Sequence, residues 1–416
     1  MELARATTPS LAVFSLKCGV SDTTEEGIAT HNCFRSRVEC KAQSYYRQLP
    51  AKDESYCLRQ LSSPRVTLTL DDLAAIRRVD ESNMLSLMEK TADRLVVPRE
   101  ESTCKFGIGT PRNVVLAGLG GSGIVGEVLA DYCRDLVHEC VTICRFSQIP
   151  KFVDKDTFFV AISYSGETGE TLRMFEQARA AGAKLAAVCS GGKLLEEAKK
   201  IGVPYVKVPS GMLPRVALPE LIAAVTHVLG QAKVLENTDR MLELARASTR
   251  EVLSKVDASI PLQQNPAKQL ASALMGRLPI LLGDEAYVSV LRRFKNQLNE
   301  NSKLPAFLYT LPEAFHNDIE GLSDLRLLSK PQPVILRSQS QTEVDRKVME
   351  RLLDILTGFE FPNPLFLDGI GSGRFEWLLT AITLGDFVSF YLAILKGVDP
   401  SKLAFIPQFR AIRGRG

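Results

Sequence analysis

A chain of 416 residues has room for about two or three domains with substantial cores. Its composition, 45% hydrophobic and 24% charged with a formal charge of +3, is that of an ordinary globular protein, with no basic excess pointing to nucleic acid and no acidic run marking a metal-loaded or disordered tail. No run of roughly 18 uninterrupted apolar residues occurs, so no membrane-spanning helix is expected, and the nine cysteines, irregularly spaced and without zinc-type Cys/His grouping, read as reduced thiols of a cytosolic protein.

Residues 1 to about 75 mix Cys18, Cys33, Cys40 and Cys57 with Thr, Ser and charged residues and show no sustained period. They are expected to be an irregular, poorly ordered extension. Arg5 and the short apolar stretch after it make a poor signal peptide, and Asp22, Glu25 and Glu26 weaken a transit-peptide reading, which leaves the cytoplasm as the expected setting and an organellar address open. Order is expected from near Thr69, where Leu73, Ile76, Met84, Leu85, Met88 and Leu95 form a broken helical stripe able to pack on a following domain.

Next, short apolar segments alternate with helical ones. Strands are predicted at 113–117, 141–144, 158–162, 185–188 and 203–208, with helices over 124–136 and 172–180 between them. After a helical region over 219–256, a second series follows at 280–282, 306–309, 334–336 and 365–367. Such a pattern predicts an α/β protein of two tandem units, each a parallel sheet flanked by helices. The expected units are 76–256, with a leading helix, and 257–416, with a C-terminal helical segment.

Two loops of the first unit can bind ligands. Gly118, Gly120 and Gly123 satisfy G-x-G-x-x-G between a strand and a helix, the dinucleotide pattern, but Arg145 stands where a ribose-binding acid is wanted. That disfavours NAD and leaves NADP a weak alternative. The loop Ser163-Tyr-Ser-Gly-Glu-Thr168 sets three hydroxyls around a glycine at a helix N-terminus, where N–H groups and the helix dipole favour an anion such as a phosphate monoester. The bland alternative is a capped helix, with Thr168 or Thr171 as the cap.

The third segment lies in the second unit. Leu291, Phe294 and Leu298 recur at helical spacing on one face, with Arg292, Arg293, Lys295 and Asn296 on the other; Glu300 follows where that helix runs out. A short strand and Leu311-Pro312 lead to His316. A carboxylate and an imidazole on loops flanking one strand can move protons near neutral pH.

Taken in order, Gly118-Leu-Gly-Gly-Ser-Gly123, Ser163-Tyr-Ser-Gly-Glu-Thr168, Pro214-Arg215, Asn299-Glu300-Asn301-Ser302-Lys303 and His316-Asn317-Asp318 resemble the bifunctional phosphoglucose/phosphomannose isomerases, built from two sugar-isomerase (SIS) domains. The resemblance covers about 80–410. It implies a homodimer acting on a hexose 6-phosphate, with no metal or organic cofactor and no nucleic-acid or membrane partner. Gly121, Ser122, Ser163, Ser165 and Thr168 would hold the sugar phosphate, Arg215 would stabilise the negative intermediate, Glu300 would be the base, and His316 would open the ring, reaching across the dimer interface.

The chemistry is consistent with those assignments. Moving a proton between C2 and C1 of a hexose phosphate through an enediol needs a base, a proton relay at O1/O5 and a cation near the developing oxyanion. Glu300, His316 and Arg215 supply one of each. Two positions depart from the family pattern. Glu167 stands where the family has Asn, beside the expected dianion, with Arg173 or Lys193 as possible partners, and Arg410 replaces a functional lysine, keeping the charge but not a proton to give up. These departures sustain the alternative of a non-catalytic SIS protein that binds a sugar phosphate and regulates.

Overall fold

The computed structural model describes residues 69–98, 102–103, 110–323, 330–337, 343–358 and 361–408. Most of the expected extension and Arg410 therefore lie outside the described residues. The helix Leu73–Val79 (α1) begins within the extension's last residues and runs into the first unit, capped by Asp72, whose side chain accepts from the Ala75 N–H at 3.0 Å. Two short helices follow, Met84–Met88 (α2) and Thr91–Arg94 (α3).

The first sheet holds β1 (Asn113–Ala117), β2 (Cys140–Cys144), β3 (Thr157–Ile162), β4 (Lys184–Cys189) and β5 (Tyr205–Lys207), all parallel in the order β2-β1-β3-β4-β5. Every residue of central β3 is buried, because helices cover both faces of the sheet. The covering helices are α4 (Gly121–Cys133), α5 (Gly169–Ala180), α6 (Gly192–Ile201) and α7 (Leu218–Gln231), followed by α8 (Thr238–Val256) and α9 (Pro266–Leu274). Helix α4 starts at Gly121, three residues before the expected 124, so Ser122 lies in a helical first turn instead of a loop.

The second sheet is parallel as well, in the order β7-β6-β8-β9, with β6 at Leu278–Asp284, β7 at Phe307–Leu311, β8 at Pro331–Leu336 and β9 at Leu365–Phe366. Its helices are α10 (Val288–Glu300), α11 (Asp318–Gly321), α12 (Glu343–Gly358) and α13 (Arg374–Leu395). Helix α13 is apolar all round because it is surrounded: among the described residues it alone is long and apolar enough to cross a membrane, and 89% of that stretch is buried inside the protein. One cluster of buried apolar residues runs from Leu70 to Ile394, so both sheets share a core with α13 within it.

The first sheet has its topological switch between β1 and β3. From β1 the chain crosses to β2 on one side, and from β3 to β4 on the other, so the loops leaving their carboxyl ends diverge and open a crevice.

Candidate active site

The two loops at this crevice are joined through Ser122, whose Oγ accepts the Tyr164 N–H at 3.0 Å. In the loop after β3, the hydroxyls of Ser163 and Thr168 are 3.1 Å apart, and Ser165 Oγ accepts the Glu167 N–H at 3.2 Å. Gly166 has φ +68° and lies so close to Gly191 that a Cβ would fall 1.9 Å from its carbonyl oxygen, so no side chain fits. Thr168 occupies the N-cap position of α5 without a side-chain capping bond. Thr171 is buried within the first turn, and its hydroxyl finds no partner among the described residues. The capped-helix alternative is thus not what these threonines do, and neither of them closes off the helix N-terminus.

Glu167 turns away from its own loop. Its Oε1 accepts the Lys193 N–H at 3.0 Å, at the start of α6, where a carboxylate is favoured by the helix dipole. The partner is thus the backbone of residue 193, not its side chain or that of Arg173.

Arg215 is brought to the same crevice by a close approach. A Cβ on Gly121 would sit 2.9 Å from the Pro214 carbonyl oxygen and 3.2 Å from the Arg215 nitrogen, so glycine lets the start of α4 lie directly on 214–215. The Arg215 side chain is only 4% exposed. Its Nε donates to Asn301 Oδ1 at 2.9 Å, and Nη2 donates to the carbonyls of Pro400 at 2.7 Å and Ser401 at 3.1 Å. Its Nη1 stands 3.5 Å from Glu300 Oε2. Burial lowers the pKa of this guanidinium, Glu300 opposes that shift and Arg293 adds to it; a guanidinium so placed stays cationic.

Glu300 is the last residue of α10, and its side chain is 28% exposed. Leu291, Phe294 and Leu298 are buried as expected, but Arg293 is not on the polar face: it is buried, with Nε 3.0 Å and Nη2 2.8 Å from the two carboxylate oxygens of Asp386. The reason is Asp386 itself, an acid within the apolar α13, which requires a cation beside it. Arg293 Nη2 also donates to the Arg215 carbonyl at 2.7 Å. Beyond Glu300, Asn301 Nδ2 donates to Ser389 Oγ at 3.0 Å and Ser302 Oγ to the Ser389 carbonyl at 2.6 Å, fastening the helix end to α13. Arg293, Asn301 and Asp386 are the supporting residues that sequence reasoning missed; the usable signal was an acid, Asp386, in the middle of a long apolar run.

His316 ends the turn Glu313–His316 after β7. It is exposed, and no hydrogen bond or ion pair joins it to a described residue, Glu300 included. The structure therefore brings together Gly121, Ser122, Ser163, Ser165, Thr168, Arg215 and Glu300, and leaves His316 apart. Arg145, the residue an NADP site would have used, is paired with buried Glu127, whose other oxygen lies 3.0 Å from Arg292 Nε. Among the described residues no three His, Cys, Asp or Glu side chains group as a metal set would.

Doubly wound parallel sheets with hydroxyls at a switch point, and a buried guanidinium set against a helix-end carboxylate, fit a sugar-phosphate isomerase of the SIS class. Residues 263–412 match the family described as the bacterial phospho-glucose isomerase C-terminal SIS domain. The bifunctional phosphoglucose/phosphomannose isomerase of Caldicellulosiruptor bescii is 34% identical over 291 residues, 69% of this chain and 85% of its own. That of Thermoplasma acidophilum is 33% identical, across 73% of this chain and 91% of its own. In fold, the chain resembles a glucose-6-phosphate isomerase like protein of Thermus thermophilus, with a TM-score of 0.56 at 17% identity, over 83% of this chain and 99% of that one. The chain belongs to the bifunctional phosphoglucose/phosphomannose isomerase family.

Proposed function

We propose that this sugar-phosphate isomerase interconverts glucose 6-phosphate and mannose 6-phosphate with fructose 6-phosphate through an enediol, without a metal ion, as a homodimer whose protomer divides into two SIS units near residue 256. The observation that carries the reading is the Arg215–Glu300 pair: a buried, permanently charged cation 3.5 Å from a partly exposed carboxylate, beside the hydroxyl loops.

The phosphate is held by hydroxyls with hydrogens to spare. Ser122 and Ser165 accept backbone N–H groups and keep their own O–H free to donate. Of Ser163 and Thr168, one donates to the other, leaving one hydrogen for the ligand. The uncapped N-terminus of α5 adds a partial positive charge. Glu167, engaged at α6, does not oppose the dianion.

With the phosphate anchored, Glu300 takes the proton from C2 of the open-chain aldose. The electron pair forms the C1–C2 double bond, and charge grows on O1, where Arg215 stabilises it without giving up a proton. Glu300 returns the proton to C1 while the O2 proton passes to O1, completing the ketose. Both C2 epimers lead to the same enediol, so one site serves both aldoses. His316 opens the ring by moving a proton at O5, and its exposure is consistent with action at a second copy's site. Arg410 acts by charge alone.

A coupled assay with each aldose phosphate, with and without chelator, tests the reading. Turnover of both sugars at equal rates in either condition is expected. Binding of fructose 6-phosphate without turnover would overturn it in favour of a regulatory protein.

A further inference from the structure

Glu300 and Arg215 come from elements far apart in the chain, and their 3.5 Å separation is too long for a hydrogen bond. Something other than their own attraction holds it. Closer approach would stabilise the carboxylate and weaken it as a base.

The frame around the pair closes through Lys303. This residue has φ +52°, a left-handed conformation that L side chains adopt at a cost, and it turns the chain so that the ammonium reaches back over the end of α10. Nζ donates to the carbonyls of Glu300 at 2.6 Å and Asn301 at 3.2 Å, among the carbonyls a helix end leaves unpaired. It also donates to the Asp399 carbonyl at 3.2 Å. The next two carbonyls along, of Pro400 and Ser401, accept from Arg215. The Asp399–Ser401 segment is thus gripped by both cations, one fixed to the helix end that carries the carboxylate. Lys396 secures Lys303 in turn, its Nζ donating to the Lys303 carbonyl at 3.2 Å.

We propose that Lys303 is a positioning residue for the isomerisation: its ammonium ties the end of α10 to the Asp399–Ser401 segment and so fixes the spacing between the Glu300 carboxylate and the Arg215 guanidinium. The proposal rests on the reading of Glu300 as the base. Burial first, then Arg215, pushes the Lys303 ammonium down to about 8, with Lys396 acting in the same sense and Asp399 and Glu300 opposing. Below that pH three N–H groups serve three carbonyls. As pH rises through it, the neutral amine keeps only two, and the tie loosens.

The test uses the full-length protein and its Lys303→Met and Lys303→Arg variants, with kcat and KM followed from about pH 6 to 9.5 beside fructose 6-phosphate binding and thermal unfolding. Lys303→Met should lower kcat by about 10- to 100-fold, the range for a slightly misplaced catalytic pair, with binding nearly unchanged. Lys303→Arg should restore most of kcat and lose the wild-type fall in kcat above about pH 8, because a guanidinium does not titrate there. A Lys303→Met enzyme that folds and turns over within about twofold of wild type overturns the proposal. Should that variant not fold, an alkaline limb shared by wild type and Lys303→Arg overturns it instead. Glu300→Gln separates the two readings: an inactive Glu300→Gln beside a normal Lys303→Met removes Lys303 alone, whereas an active Glu300→Gln removes the reading beneath it and the proposal together.

Discussion

The end of α10 and the turn Glu313–His316 are separated by one strand, yet they are built on opposite plans. At the end of α10 the side chains are held by several partners: Arg215 meets Asn301, Pro400, Ser401 and Glu300, while Asn301 and Ser302 are fastened to α13. At the turn, His316 is exposed and joined to no described residue, and its neighbour Asn317 bonds only locally, to Glu313, Asp318 and Glu320. Preorganised charge is effective because nothing must reorganise during the reaction. In the ring opening proposed for it, His316 has no such need until substrate arrives.

The largest effect should come from the framed half. Glu300→Gln keeps size and hydrogen bonding but removes the base, so kcat should fall by roughly 10²–10⁴ while calorimetric binding of fructose 6-phosphate survives; near-normal turnover would end its assignment. Arg215→Lys comes next, with an expected loss of about 10²–10³ in kcat. A compact ammonium cannot serve acceptors set for a planar fork, so the variant should also melt at lower temperature than wild type. A variant with unchanged kcat would mean that the guanidinium only supports the loop.

The exposed half should respond selectively. His316→Ala should cut turnover of cyclic substrate by about 10²-fold, yet spare exchange of the C1 proton of fructose 6-phosphate. Equal losses in both would assign His316 to positioning, and would remove the contrast between the two regions.

A buried cation away from the crevice is the control. Lys268 lies fully buried on α9, with Nζ bonded to Asp71 Oδ1 at 3.0 Å and to the carbonyls of Ala258 at 2.9 Å and Ile260 at 2.8 Å. Lys268→Met strands those carbonyls and should cost about 1–3 kcal/mol of stability, read as a lower Tm, without changing kcat. The smallest effect belongs to Glu167→Asn. Since this carboxylate caps α6, its loss should cost about 0.5–1 kcal/mol of stability and leave KM for the hexose phosphate equal to that of wild type at low and at high salt. A KM below that of wild type at low ionic strength would place the carboxylate against the phosphate after all.

The legible parts of this protein were those written in local pattern. Apolar runs of strand length between helical stretches announced nine strands because a sheet covered on both faces accepts only such runs. The hydroxyl loop and the helix-end glutamate were legible for a similar reason: their chemistry is carried by residue type at short spacing. Illegible were the partners. Arg293 looked like one more solvent-facing arginine until α13 placed Asp386 against it, and Glu167 looked like a charge facing the phosphate until the start of α6 arrived beside it.

By itself, then, the sequence determined that two parallel α/β layers form, where their loops fall and which side chains could do acid–base work, since these follow from periodicity and composition. Only the tertiary structure decided which of them act together. Arg215 and Lys303 are brought together by the carbonyls of residues 399–401, and a long-range backbone acceptor leaves no mark on the residue type that supplies it.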